Sequence, residues 1–242
     1  MKIEPNVEQA TPEDINRYQQ QIGSILYLTT KTRPDLAYSI GLLARYIANP
    51  GPEHWKALEK VWYYIYNTKN LSLVYQSTPE PKLLGYTDAD WGGDLQTRRS
   101  TTAYIFTFLG GALSWASKLQ RTVALSSCEA EYMAIKEGLK ENLLIRGILD
   151  ELQPILEVKS YKDLYTDSNS AIELAKNPSK HNRTKHIDIQ YHFIREKVKD
   201  DSIRLIYMPT KEQLADALTK PVNQQKMQYF KENIGLRPIE SL

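Results

Sequence analysis

The sequence has a single cysteine, Cys128, among its 242 residues. One cysteine cannot form an intramolecular disulfide, and it excludes zinc sites that take two or more cysteine ligands from the same chain. There are only four histidines, and no two of them stand in the HExxH spacing of zinc proteases. Zinc fingers, zinc ribbons and HExxH proteases are therefore excluded.

Long apolar runs and an excess of one charge are also missing. No stretch approaches the ~18 consecutive apolar residues that a membrane-spanning helix needs. Lysine and arginine number 31 against 29 aspartates and glutamates, which gives a net charge of +2. Total charge therefore does not imply a nucleic-acid partner, and any basic surface for one must be local.

The pattern of apolar residues changes near residue 78, from helical spacing before it to alternating strands and helices after it. Before this point three helical patterns follow one another, the first with Ile15, Tyr18, Ile22 and Ile25 at helical spacing. The sequence Ser-Thr-Pro-Glu-Pro at 77–81 predicts a linker or a tight connection. We therefore predict a helical segment over 1–78, an α/β domain over 79–222 and a C-terminal helical tail over 223–242.

The sequence of the α/β domain predicts five strands and their connecting helices in the order βββ-α-β-α-(α)-β-α. Gly110 and Gly111 predict a hairpin between the second and third strands. The predicted strands are 82–88, 102–108, 111–116, 162–166 and 203–207, and the predicted helices are about 127–152, 168–176, 186–199 and 211–219. This order predicts a mixed five-stranded sheet flanked by helices.

Two of these strands end in the same tripeptide, Tyr-Thr-Asp, which places Asp88 and Asp167 at strand ends. A strand-helix-strand order makes the two strands parallel, so both aspartates are expected at one edge of the sheet. Two carboxylates there repel unless a cation neutralises them or one is protonated. Taken singly, Asp88 also suits a turn and Asp167 a helix N-cap.

Two further carboxylates are candidates for the same site. Glu131 shares the apolar stripe of the long helix, where a carboxylate needs a partner or a metal, whereas Glu129 fits a capping box with Ser126. Asp216 follows the capping signals Thr210 and Gln213, but a surface ion pair with Lys220, four residues on, explains it equally well. Four carboxylates make an all-oxygen site, which suits Mg²⁺ or Mn²⁺. Two such ions would clamp the attacking and leaving oxygens of a phosphodiester.

Seven motifs follow one another along the chain: GYTDADWGGD at 85–94, RRSTT at 98–102, WASK at 115–118, SSCEAEY at 126–132, DSNSA at 167–171, RTKHID at 183–188 and LADALTK at 214–220. In this order they resemble the ribonuclease H domain of copia-type LTR retrotransposon Pol polyproteins. Segments at 22–28, 32–36 and 49–55 also resemble the region that links reverse transcriptase to ribonuclease H, the thumb and connection. The polymerase palm with its Tyr-x-Asp-Asp motif is absent, so this chain is not a reverse transcriptase on its own.

The resemblance implies a ribonuclease H-like fold and an enzyme that cuts the RNA strand of RNA–DNA hybrids with two Mg²⁺ ions. It implies Asp88, Glu131, Asp167 and Asp216 as catalytic and metal-binding residues, with Asp90 and Glu129 as rivals for the first two places. It further suggests polymerase palm and fingers from the parent polyprotein as a partner. The location it suggests is the cytoplasm, in a virus-like particle of the parent element, with the nucleus as the alternative.

Substrate contacts are expected from residues near the carboxylates. The expected basic and polar contacts are Arg98, Arg99, Ser127, Ser168, Asn169, Arg183, Lys185 and His186, which suit phosphates and the 2′-OH of RNA. Surface solvation explains each charge equally well. Trp91 and Trp115 are interpreted as core aromatics.

Two other functions fit parts of the sequence, and a third does not. A module with this fold could bind hybrids or a protein without cutting them. Residues 1–78, with eight tyrosines and two tryptophans, could instead form an interface that supports a polymerase on another chain. A DDE-type integrase expects a glutamate ~35 residues after its second aspartate, on a helix, but Ser202 and Ile203 stand there.

Overall fold

A computed structural model of the chain describes residues 3–78, 80–156, 162–176 and 185–238. The N-terminal helices are α1 (Pro12–Lys31), α2 (Ala37–Leu43) and α3 (Pro52–Asn67), and a short strand, β1 (Leu71–Leu73), follows them. Helix α1 begins where the Thr11 hydroxyl accepts the Asp14 N–H at 3.1 Å. The three helices enclose a core of their own, which includes Tyr18, Ile22 and Ile40.

Five further strands form the central sheet. They are β2 (Leu84–Asp90), β3 (Thr101–Phe108), β4 (Gly111–Leu119), β5 (Asp163–Thr166) and β6 (Arg204–Tyr207), in the spatial order β4-β3-β2-β5-β6. Strands β2, β3 and β4 are antiparallel, whereas β5 is parallel to β2 and β6 is parallel to β5. The mixed five-stranded sheet of a ribonuclease H-like fold is thereby confirmed.

Helices cover the two faces of this sheet. Helices α4 (Ser127–Leu156), α5 (Asn169–Lys176) and α6 (Lys185–Lys199) follow β4 and β5, and α7 (Gln224–Asn233) lies near the C-terminus. On one face Phe106 packs with Ile135 and Leu139 of α4. Its neighbour Ile105 points to the opposite face and packs with Phe230 of α7. The sheet is therefore buried on both sides.

Two local predictions need correction. The helix expected over 211–219 is a 3-10 helix, Leu214–Leu218. The tail at 223–242 is not helical throughout, because Leu236–Pro238 forms a strand, β7, that pairs antiparallel with β1. Within the described ranges no helix has both the length and the apolar character to cross a membrane.

Candidate metal centre

The repeated Tyr-Thr-Asp tripeptides lie in register on neighbouring parallel strands. Tyr86 of β2 pairs with Tyr165 of β5, and their rings stack with centroids 5.4 Å apart. Asp88 and Asp167 each stand two residues beyond these tyrosines, so the pairing brings both to the same edge of the sheet. The prediction from the two tripeptides thus follows from strand register.

Glu131 joins the two aspartates from the first turns of α4. One carboxylate oxygen from each of Asp88, Glu131 and Asp167 lies within 4.8 Å of the other two. Asp88 and Glu131 are buried, and Asp167 is partly exposed. Ile135 and Leu139, on the same stripe of α4 as Glu131, are fully buried, so the helix points this carboxylate inward.

Burial and mutual repulsion disfavour ionisation of this cluster. Burial, followed by the charges of Asp216 and Asp167, raises the pKa of Asp88 to about 6, although a hydrogen bond from Thr219 opposes the shift. Burial, followed by the charge of Asp88, raises the pKa of Glu131 to about 9. Glu131 therefore needs a cation nearby if it is to be ionised at neutral pH, and a cation would also offset the burial of and repulsion on ionised Asp88.

The hydrogen bonding of Glu131 fits a metal ligand. Its Oε1 accepts the Ala89 N–H at 3.4 Å, whereas its buried Oε2 has no hydrogen-bond partner among the residues described. A buried carboxylate oxygen without a donor is costly unless a cation compensates it. Three oxygen ligands with one open oxygen suit a hard divalent cation such as Mg²⁺.

Asp216 is buried beside the cluster but faces two lysines. Lys220 Nζ lies 2.5 Å from its Oδ1, and Lys226 Nζ of α7 lies 2.5 Å from its Oδ2. The i, i+4 ion pair left open by the sequence is therefore present, but Asp216 is only 2% exposed and the pair is not a surface one. The second lysine was not foreseen.

Side chains of the segment after β6 hold β2, β5 and Asp167 in place. Gln213 Nε2 donates to the carbonyl oxygens of Thr87 and Tyr165 at 3.1 and 3.4 Å, so it bridges β2 and β5. The Thr210 hydroxyl donates to Asp167 Oδ2 at 2.6 Å. The expected capping box of Thr210 and Gln213 is wrong, since Gln213 alone caps the 3-10 helix and Thr210 holds Asp167.

A matching hydrogen bond holds Asp88. The Thr219 hydroxyl donates its one proton to Asp88 Oδ2 at 2.5 Å, and its oxygen also lies 3.1 Å from the Asp216 carbonyl oxygen. Sequence reasoning missed Thr219, Gln213 and Lys226 as supports of the site. The groups that these side chains contact lie on other elements, so no local pattern connects them. For Thr219 and Gln213 the only indication in the sequence was a hydroxyl or amide next to an acidic motif.

The rival residues have other positions. Asp90 ends β2 outside the group of three, and the Glu129 carboxylate accepts the Leu125 N–H at 2.9 Å while Ser126 Oγ accepts the Glu129 N–H. Glu129 thus serves as the predicted cap. Trp91 is 53% exposed and donates its indole N–H to the Ala124 carbonyl oxygen, so its assignment to the core is wrong. Strand β2 ends before it, at Asp90.

Three polar candidates for substrate contact lie at helix starts beside the carboxylates. Ser127 is the exposed first residue of α4, and Asn169 is the exposed first residue of α5. The Ser168 hydroxyl accepts the Ala171 N–H at 3.2 Å, which is a capping contact. Their contacts with a substrate stay predictions.

The structure describes only some of the basic residues that were expected to contact the substrate. Arg98 is exposed and Arg99 is half-buried in the loop between β2 and β3, and Arg98 has a left-handed backbone conformation with φ 56°. Arg183 lies outside the described residues. For Lys185 and His186 the structure describes the backbone only, at the start of α6.

Comparison with known proteins was made by sequence and by structure. No family model matches the chain. It is 46% identical over 219 residues to the retrovirus-related Pol polyprotein of transposon TNT 1-94 from Nicotiana tabacum, which covers 90% of this chain and 16% of that protein. It is 37% identical to the Pol polyprotein of transposon RE2 from Arabidopsis thaliana, over 92% of this chain and 15% of that protein.

A shorter relative and a solved structure are also similar. A secreted RxLR effector protein, number 161 of Plasmopara viticola, is 48% identical over 124 residues, which cover 51% of this chain and 87% of that protein. The N-terminal ribonuclease H domain of Rv2228c from Mycobacterium tuberculosis, solved as a fusion with maltose-binding protein, is 13% identical. It matches with a TM-score of 0.40 over 62% of this chain and 96% of that one.

The chain spans about one sixth of the transposon polyproteins it matches, but those matches cover nine-tenths of its own length. They include both the helical segment and the strands that carry the carboxylates. Over nearly its whole length the chain is thus similar in sequence to one part of retrovirus-related Pol polyproteins of plant transposons.

Proposed function

We propose that this chain is a metal-dependent endonuclease that hydrolyses the RNA strand of RNA–DNA hybrids. The observation that carries the proposal is the convergence of Asp88, Glu131 and Asp167 within 4.8 Å at one sheet edge. Sequence similarity to part of retrovirus-related Pol polyproteins supports the same activity. Buried, mutually repelling carboxylates with an open oxygen serve no evident structural purpose, but they suit a cation site.

Mg²⁺ is the proposed cofactor, in two ions that Mn²⁺ could replace. Asp88, Glu131 and Asp167 would hold the first, and Asp216 is the proposed further ligand once a cation replaces a lysine at its carboxylate. The ions would supply an activated water and stabilise the leaving 3′ oxygen of a phosphodiester.

The residues around the carboxylates keep them in place for that role. Thr219 and Thr210 each donate a hydroxyl to one aspartate, and Gln213 fixes the spacing of the two strands that carry them. Held side chains need little rearrangement when a ligand binds. On the substrate side, we propose that Ser127, Ser168 and Asn169 contact the RNA strand, where a 2′-OH distinguishes RNA from DNA.

The test is cleavage of a labelled RNA–DNA hybrid by the purified chain in Mg²⁺, with and without EDTA. We expect RNA cleavage that EDTA abolishes and that Asp88→Asn and Glu131→Gln each reduce by more than about 100-fold, since changes even at residues behind metal ligands cost 10–100-fold. Asp90→Asn and Glu129→Gln, each two residues away on the same element, are matched controls that should keep most of the activity.

Other outcomes would contradict the proposal in distinct ways. Cleavage that persists in EDTA would exclude the metal. Equal losses in Asp88→Asn and Asp90→Asn would exclude the assignment of the ligands. Tight binding of the hybrid without cleavage would replace the nuclease by a binding module that retains the fold.

A further inference from the structure

Asp216 stands apart from the other three candidate carboxylates. One oxygen from each of Asp88, Glu131 and Asp167 lies within 4.8 Å of the other two, and this group does not include Asp216. An ion held by the group of three would therefore leave Asp216 to a different ion. Its position fits the second of the two proposed ions.

The Oδ1 oxygen of Asp216 is buried and has no hydrogen bond. Asp216 is 2% exposed, and Oδ1 has no hydrogen-bond partner among the residues described, although Lys220 Nζ lies 2.5 Å away. The contact with Lys220 is thus an ion pair without an aligned donor. Glu131 Oε2 is likewise buried without a partner. Both oxygens suit a cation that coordinates them directly.

The two lysines at Asp216 are held to different degrees. Lys226 Nζ lies 2.5 Å from Asp216 Oδ2 and also donates to the Thr210 carbonyl oxygen at 2.7 Å, and its side chain is 19% exposed. The Lys220 side chain is 41% exposed, and within the described ranges its one polar contact is with Asp216. A partly exposed lysine can exchange such a contact for water at little cost. Lys220 is therefore the lysine that can leave.

The charge of Lys220 also acts on the rest of the acidic cluster. Burial raises the pKa of Asp88, Asp90 and Glu131, and the charge of Lys220 opposes this shift at each of them. Its ammonium group thus supplies part of the positive charge that the carboxylates need. A divalent ion at Asp216 would supply more, and it would repel an ammonium group only a few Å away.

On the basis of the proposed function, we infer that Lys220 competes with the second metal ion for Asp216 Oδ1. Without that ion, the ammonium group compensates the carboxylate. When the ion binds, the Lys220 side chain moves into solvent and Lys226 keeps its contact with Oδ2. The apparent affinity for the second ion is reduced by the fraction of molecules in which Lys220 is in place. The first ion, held by the other three carboxylates, binds without this exchange, so Lys220 sets the metal concentration at which the second ion loads.

The test is a Mn²⁺ titration of the purified full chain, with free Mn²⁺ measured by electron paramagnetic resonance. We expect the wild-type chain to bind two ions with separate affinities. Lys220→Gln should bind the weaker ion at least about 10-fold more tightly, because the competitor and its repulsion of a divalent ion are both removed. The tighter ion should change less. Lys220→Arg retains the charge and should stay close to the wild type.

Two other lysines make this result specific. Lys226→Gln removes a charge at the same distance from the same carboxylate, so net charge alone predicts equal tightening in the two glutamine variants. We expect a smaller gain in Lys226→Gln, because Lys226 holds Asp216 and Thr210 in place and does not contact Oδ1. Lys211→Gln, in the same segment with a 79% exposed side chain, should change neither affinity.

A second measurement follows the side chain of Lys220 itself. Acetylation of the wild-type chain by a water-soluble reagent, with each lysine followed by mass spectrometry, should modify Lys220 faster in saturating Mg²⁺ than in EDTA. Lys226 should keep its rate, and Lys211 is the exposed reference under both conditions. Because this measurement uses the wild-type chain, it decides the question even if Lys220→Gln does not fold.

Several results would overturn the competition. They are equal tightening in the Lys220 and Lys226 glutamine variants, unchanged or weaker binding of the second ion in Lys220→Gln, a single bound ion in both wild type and Lys220→Gln, and an unchanged acetylation rate at Lys220. Hybrid cleavage in Mg²⁺ and its loss in Asp88→Asn are scored separately. A nuclease whose metal binding does not depend on Lys220 is thereby distinguished from a chain that is not a nuclease.

Discussion

Asp88 shows how the candidate metal centre costs stability when no cation is bound. Its pKa is raised to about 6, chiefly by burial, so the folded protein holds this proton more tightly than the unfolded chain does. Stability is then lost as pH rises from about 4 through about 6. In EDTA at pH 8 we expect Asp88→Asn to raise the free energy of unfolding by about 1–2 kcal/mol, with no gain at pH 4. Urea unfolding at both pH values measures the difference.

Mg²⁺ should make the wild-type chain more stable than the Asp88→Asn variant, which reverses the order of stability expected in EDTA at pH 8. A ligand that binds only the folded state stabilises it in proportion to RT ln(1 + [L]/Kd), and the Asn variant should gain less from this effect. Glu129→Gln, whose side chain caps α4 and lies outside the cluster, serves as the control and should change little with Mg²⁺. Lower stability of Asp88→Asn in EDTA at pH 8 would mean that the Thr219 hydrogen bond outweighs the repulsion.

The sequence reveals this site only where the pattern is local. Asp88 and Asp167 could be predicted because an identical tripeptide on two parallel strands implies a shared register. Glu131 could be predicted because it interrupts an apolar stripe. The environment of Asp216 could not be predicted in full. One of its two lysines, Lys226, lies ten residues further along the chain in another helix, and no periodicity connects the two residues.

Helix α7 belongs to the site although it lies beyond the predicted α/β domain. Lys226 donates to the Thr210 carbonyl oxygen at 2.7 Å and contacts Asp216, and Thr210 in turn holds Asp167. We expect Lys226→Met to lower the free energy of unfolding by about 2 kcal/mol, because it leaves a buried carboxylate with one cation fewer. Chemical denaturation measures the loss.

Two further variants make that result specific. Lys231→Met, on the same helix, should stay within about 0.5 kcal/mol of the wild type, as surface substitutions usually do. Lys226→Arg keeps the charge and should recover part of the loss. An equal loss in the Lys226 and Lys231 methionine variants would show that α7 tolerates no change, and the contact with Asp216 would then not be the cause.

Long helices and strands could be predicted from the sequence, whereas the shortest ones could not. The long helix α4 and the β3–β4 hairpin follow from apolar periodicity and from two adjacent glycines, of which Gly110 has a positive φ of 76°. Strands β1 and β7 have three residues each, too few to show a period in the sequence. They form by pairing with each other although about 160 residues of chain separate them. The 3-10 helix of five residues is likewise set by its tertiary neighbours.

At the scale of the whole molecule, the proposed boundaries at 78 and 222 run through shared structure. The core on one face of the sheet joins Ala37 of α2 to Leu218, Phe230 and Leu236. Trp115 of β4 donates its indole N–H to the Thr29 carbonyl oxygen at 2.9 Å. The pairing of β1 with β7 connects the regions before and after the α/β domain. The three segments of the sequence therefore depend on one another for burial.

This dependence predicts a single cooperative unfolding transition for the full chain. We expect the calorimetric and van't Hoff enthalpies to agree, as they do for two-state proteins. Deletion of residues 223–242 removes Phe230, Ile234 and Leu236, which are at most 3% exposed. Burial of each such side chain contributes roughly 1.5–3 kcal/mol, so the deletion should cost several kcal/mol and expose the face of the sheet that α7 covers. Two separate transitions, or a 79–222 fragment with the Tm of the full chain, would show instead that the domain is independent and that α7 only covers it.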